Sequence, residues 1–100
     1  MEKVISLKEI IDSINSLKEK IKTQYKAEVV GIFGSFVRGE EKKSSDIDIL
    51  VEFNEDADLF DFVGLSIFLE EKLGRKVDVV PRDMVRPELK KRILKETVSV

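Results

Sequence analysis

Three aspartates and one glycine-serine pair are the residues of this sequence whose types and spacing suit them to chemistry. Asp46 and Asp48 stand on either side of a single isoleucine in SSDIDILVEF. Side chains two apart on a strand share a face, so both carboxylates project the same way. Like charges held so close repel each other, and a cation between them removes the repulsion. Asp78, in KVDVV, is the third carboxylate. With Val77 and Val79 turned inward it points to the other side of its sheet, where the neighbouring pair can meet it. Gly34-Ser35 closes an apolar run. Glycine permits close backbone approach, and the Ser35 hydroxyl with the amides after it can hold phosphate oxygens. Arg38 can neutralise a phosphate or brace the acidic cluster. The combination suits metal-assisted chemistry on a phosphate. Each part alone has a plainer meaning, since most GS pairs are turns and Asp is common at a strand start. Asp56, Asp58, Asp61 and Asp83 sit where turns and helix caps account for them. Neither GxxxxGK[ST] nor GxGxxG occurs, which excludes the common glycine-rich nucleotide loops.

Composition narrows the chemistry further. The 100 residues, 42% of them hydrophobic, suffice for one domain spanning 1–100 and are too few for two. Without cysteine there is no disulfide and no thiolate metal site, and without histidine the usual general base and commonest transition-metal ligand are missing. A metal here must be held by oxygens, which selects Mg²⁺ or Mn²⁺. The 18 basic and 20 acidic residues leave a net charge of -2, which argues against a general nucleic-acid binder. No apolar run is long enough to span a membrane and no signal-peptide pattern opens the chain, so a cytoplasmic protein is expected.

The elements that must carry these residues alternate between helix and strand. Leu7, Ile10, Ile11, Ile14, Leu17 and Ile21 line one side of a helix over 6–23, with Ser6 and Glu9 as a capping box. Val29, Val30, Ile32 and Phe33 read as a buried strand, followed by a short helical turn over Phe36 to Gly39 and a polar loop, EEKKSS. DIDILVEF, residues 46–53, is the clearest strand and reads as central, its first residues emerging into a cleft. A second helix runs from Leu59 to Leu73 with Gly74 at its C′ position, then a third strand covers Val77 to Val80 and ends at Pro81. A short helix with Pro87 in its first turn, packed by Leu89, Ile93 and Leu94, leads to an edge strand or frayed end at Val98 and Val100. On the second helix Leu59, Phe62, Val63, Ser66, Leu69 and Leu73 form the stripe expected against the sheet. Phe60, Ile67 and Phe68 fall on another side and are expected to serve self-association or a helical partner.

The stretch GSFVRGEEKKSSDIDILVEF, residues 34–53, resembles the minimal nucleotidyltransferases of the DNA polymerase beta superfamily, whose pattern is GS, an RG shortly after, then SDxD opening an apolar strand. Asp78 in GRKVDVV matches the family's third aspartate, and RPELKKRIL resembles its closing segment. The resemblance implies an α/β (α+β) fold, a small mixed β-sheet packed with helices. It implies two Mg²⁺ ions (Mn²⁺ as the alternative) on Asp46, Asp48 and Asp78, ATP as donor, and Gly34, Ser35 and Arg38 at its phosphates. The bare core also resembles the smaller half of two-gene toxin-antitoxin systems. There the acceptor is a tyrosine of a HEPN toxin, and the nucleotidyltransferase acts as antitoxin by adding AMP to it. A small-molecule or nucleic-acid-end acceptor, and a catalytically silent nucleotide-binding module, are the alternatives.

Overall fold

The computed structural model describes residues 6–42 and 45–100, so Lys43 and Ser44 of the expected polar loop lie outside the described residues. Four strands form one sheet in the order β3-β2-β1-β4, which leaves β3 on one edge and β4 on the other. Helix α1, Leu7–Tyr25, begins at Ser6, whose side chain accepts from the Glu9 amide, and stops where Lys26 turns left-handed. That cap relieves one of the unsatisfied amides of the first turn and stabilises by about 1 kcal/mol. Strand β1 is Ala27–Phe33, α2 is the single turn Ser35–Arg38, and β2 is Ile47–Phe53. Helix α3, Leu59–Leu73, opens on a capping box between Asp58 and Asp61 and closes on Gly74 at φ 66°. Strand β3 is Val77–Pro81, α4 is Pro87–Glu96 with its proline in the first turn, and β4 is the two-residue strand Val98–Ser99.

The sheet is mixed: β2 runs antiparallel to β1 and parallel to β3, with α3 supplying the crossover that a parallel pair requires. Ile47, Ile49 and Val51 of β2 face α1 and α3 and are fully buried in the main core with Ile10, Ile14 and Leu65. In β1 the register shifts between Val29 and Gly31, leaving Val30 without a partner across the ladder. This bulge resets the alternation, so Ile32 pairs with Ile49 on the core face while Phe33 pairs with Asp48 on the other. Gly31 lets the C-terminal segment close on β1. A Cβ there would lie 2.3 Å from the Val98 carbonyl oxygen, nearer than any real side chain can approach.

Two expectations of packing are corrected. The sequence pattern sets Leu59 and Val63 on the buried stripe of α3, but both are exposed, while Phe68, expected on the outer side, is buried. The helix packs against α1 as well as the sheet. The Phe68 ring lies 5.2 Å from the Tyr25 ring, and Gly64 leaves room for Tyr25, which turns the buried arc toward α1. In α4, Leu89 is exposed and Ile93 and Leu94 are only half-buried, so that helix contributes nothing to the main core. No helix among the described residues is long and apolar enough to cross a membrane.

Candidate active site

Asp48 and Asp78 are register partners in the parallel pair β2 and β3, each one residue into its strand. Two backbone ties fix these strand starts. The Ile47 amide donates to the Lys76 carbonyl at 3.0 Å, and the Val77 amide donates to Glu70 Oε2 of α3 at 3.0 Å. Val77 and Val79 are buried and Asp78 is exposed, the alternation expected for it. Asp46 immediately precedes β2 and is also exposed. The third strand arrives from the other direction, because β1 is antiparallel and ends at Phe33 opposite Asp48. Gly34 follows with φ 84° and ψ -153°, a conformation essentially confined to glycine. A Cβ on it would stand 2.0 Å from Asp48 Oδ2, so the absence of a side chain is what lets the carboxylate lie against the backbone.

Charge accumulates around Asp48. Half-burial, then the neighbouring charges of Asp78 and Asp46, push its carboxyl up to about 6 from the ordinary 3.8, with Glu96 adding to the effect and Arg38 opposing it. As arranged, no three acidic side chains among the described residues already chelate a common point. The donor set nevertheless fits a hard divalent cation: three carboxylates stand at the starts of two adjacent strands, and burial together with the charges of Asp78 and Asp46 disfavours the charged form of Asp48, which a cation would relieve. Asp46 and Asp78 are exposed, so side-chain rotation alone can bring their oxygens toward Asp48.

On the other flank, α2 turns back on itself. The Val37 and Arg38 amides both donate to the Gly34 carbonyl at 3.1 Å, and Ser35 occupies the first position of the turn. Arg38 does not reach the aspartates by hydrogen bonds. Its Nε donates to Glu40 Oε1 and its Nη1 to Glu96 Oε1 at 2.6 Å, two bonds that raise its already high pKa. Glu96, the last residue of α4, also accepts weakly from the Gly34 amide, 3.4 Å from its Oε2. A cleft of about 250 Å³ lies here, lined by Phe33, Gly34, Arg38, Asp48, Arg92 and Glu96 among others. Glu96 and Arg92 were not foreseen. Glu96 stands 62 residues from Gly34 and 58 from Arg38, and a lone glutamate ending a charged helix carries no local signal. The other acids behave as caps and surface pairs: Asp58 and Asp61 close the capping box, and Asp56 pairs with Lys26.

Three carboxylates at two adjacent strand starts, beside a glycine-serine turn at the end of a third strand, are the arrangement expected of a nucleotidyltransferase, and comparison with known proteins agrees. Residues 14–100 match the nucleotidyltransferase domain family, and the chain belongs to it. Within the family it is 37% identical to protein adenylyltransferase MntA of Thermococcus cleftensis over 97% of this chain and 98% of that one. It is 47% identical to a Methanocaldococcus jannaschii protein provisionally named a protein adenylyltransferase, over 88% of this chain and 98% of the relative. A solved structure described provisionally as a minimal nucleotidyltransferase superposes with a TM-score of 0.74 at 32% identity, covering 90% of this chain and 95% of that one. The same fold recurs, at TM-score 0.72 and 24% identity, in a toxin-antitoxin crystal structure containing AMP-PNP, over 88% of this chain and 69% of that one.

Proposed function

We propose that this nucleotidyltransferase moves AMP from ATP to a tyrosine hydroxyl of a HEPN toxin and thereby acts as its antitoxin, with Mg²⁺ held by Asp46, Asp48 and Asp78. The observation that carries the catalytic part is the pairing of Asp48 with Asp78 beside a glycine backbone that only a missing side chain allows so close. The names of the relatives, protein adenylyltransferases, support the acceptor class. The family resemblance to two-gene toxin-antitoxin cores supports the tyrosine.

Mg²⁺, or Mn²⁺ in its place, would supply Lewis-acid polarisation of the donor phosphate and a lowered pKa for the attacking hydroxyl when bound there. The chain's own groups do the rest. Asp46, Asp48 and Asp78 would supply the oxygens that hold two such ions, and Asp78, exposed on the strand beside Asp48, receives the hydroxyl proton in a sequence without histidine. The acceptor oxygen bonds to the α-phosphorus as the bond from that phosphorus to pyrophosphate breaks. The Gly34 amide, the Ser35 hydroxyl and Arg38 take up the charge that develops on the departing oxygens.

The test is incubation of the chain with ATP, Mg²⁺ and the protein encoded by the neighbouring gene, as the candidate toxin, followed by mass spectrometry of that protein. Adenylyl groups on a tyrosine, lost with Asp46→Asn, Asp48→Asn or Asp78→Asn, are expected. An unmodified toxin alongside a modified RNA end or small hydroxyl compound would replace the protein acceptor with one of those.

A further inference from the structure

The cleft contains a carboxylate that the proposed reaction does not use. Glu96 reaches it from the far end of the chain and takes two donors on the phosphate flank. One is Arg38 Nη1, 2.6 Å from its Oε1; the other is the Gly34 amide, 3.4 Å from its Oε2. Only 17% of the Glu96 side chain is exposed, so this is a seated group rather than a surface pair formed by chance. A carboxylate bridging a guanidinium and a backbone amide uses the same geometry as a phosphate doing so. The two occupants compete for the same donors, because the Gly34 amide has a single hydrogen and the Arg38 Nη1 hydrogen aimed at Glu96 is not aimed at a phosphate.

We propose that the Glu96 carboxylate and a phosphate of the nucleotide compete for Arg38 and the Gly34 amide, so that α4 must release Glu96 as the triphosphate seats. This rests on the reading of the cleft as a nucleotide site. Asp46, Asp48 and Asp78 already make the region strongly acidic, and a fourth carboxylate adds repulsion toward a polyanion until it leaves. Arg92, one helical turn before Glu96, lines the same cleft and makes no ion pair among the described residues. When Glu96 leaves, Arg38, still paired with Glu40 through its Nε, has its Nη1 open to the phosphates, and Arg92 adds a second cation on the same cleft. Competition predicts a sign that a positioning role reverses. Were Glu96 there to orient Arg38 toward phosphate, removing its charge would weaken nucleotide binding.

The experiment is calorimetric titration of wild type, Glu96→Gln, Arg38→Ala and the double variant with Mg²⁺ plus AMP-PNP, and separately with Mg²⁺ plus inorganic triphosphate. Glu96→Gln should tighten both ligands by about threefold to tenfold, the range for losing a partly exposed charged competitor. Most of that gain should vanish when Arg38 is already alanine. Unchanged or weaker binding by a Glu96→Gln protein with the wild-type melting temperature overturns the proposal. A gain that survives Arg38→Ala in full also overturns it, because repulsion alone would then explain the result. If the difference between wild type and Glu96→Gln is found but no AMP is transferred to any acceptor, the competition stands and the proposed reaction fails. If the wild type and Glu96→Gln both bind neither ligand, both readings fall.

Discussion

Asp48 is the residue on which the opposing demands of the site fall. Burial and two neighbouring aspartates raise its carboxyl to about 6, above the value near 3.8 it has in an unfolded chain. A group whose folded pKa is raised favours the folded state fully below its unfolded value, and that contribution is lost as pH rises through the folded one. Measured without added metal, stability should therefore fall between about pH 4 and pH 7. Asp48→Asn should flatten that slope and gain about 1 kcal/mol at neutral pH, a figure discounted for partial exposure. Mg²⁺ binding should weaken in the wild type as pH drops below about 6, because protons then compete for Asp48. Melting curves and Mg²⁺ titrations across that range check both; a pH-independent melt in the wild type would refute the first. Gly34 gives a second prediction at this scale. Gly34→Ala places a methyl group 2.0 Å from Asp48 Oδ2 in a backbone region that alanine avoids, so it should cost about 2 kcal/mol and abolish transfer. Gly74→Ala, also at positive φ but with nothing within 4 Å, should cost about 1 kcal/mol and leave transfer intact. Parallel melts and transfer assays would separate the steric effect from the strain; equal activity in the two variants would remove Gly34 from the site.

Among the elements, α3 shows how a helix can be legible in extent and ambiguous in phase. Asp58 and Gly74 mark its ends by capping chemistry that is wholly local, and the structure places both there. The side it buries is not local, because Leu59 to Leu69 is apolar nearly all round and both the sheet and α1 compete for it. Phe68 went inward onto Tyr25, whereas Leu59, Phe60 and Ile67 stand 73%, 87% and 59% exposed on the outer side. An apolar strip of that kind on a water-facing helix suits a protein partner. Phe60→Glu with Ile67→Glu should keep the melting temperature within a few degrees and eliminate co-purification with the proposed toxin partner or self-association. Phe68→Glu should unfold the domain, since it buries a charge in the core. If the outer pair changes neither association nor solubility, that face is not an interface.

Across the whole molecule, what the sequence made legible was whatever depends on neighbours in the chain. The aspartates at the strand starts, the GS turn and the helix caps all belong to that class. What stayed hidden arises where distant segments meet: the Val30 bulge that rephases β1, the Gly31 contact that seats β4, and the arrival of Glu96 at the cleft. The candidate site was thus readable in its acids and unreadable in its fourth carboxylate. The position of β3 at the sheet margin has a further consequence, for solubility. An edge strand reading VDVVP would offer its unpaired backbone to other chains were it not for a charge within it and a proline at its end. Asp78 thus also serves as a gatekeeper against aggregation, a duty that Asp46, outside the strand, does not share. On heating, Asp78→Asn should scatter light earlier and more strongly than Asp46→Asn, although both are expected to lose transfer; matching turbidity would show that the edge is guarded by Pro81 alone.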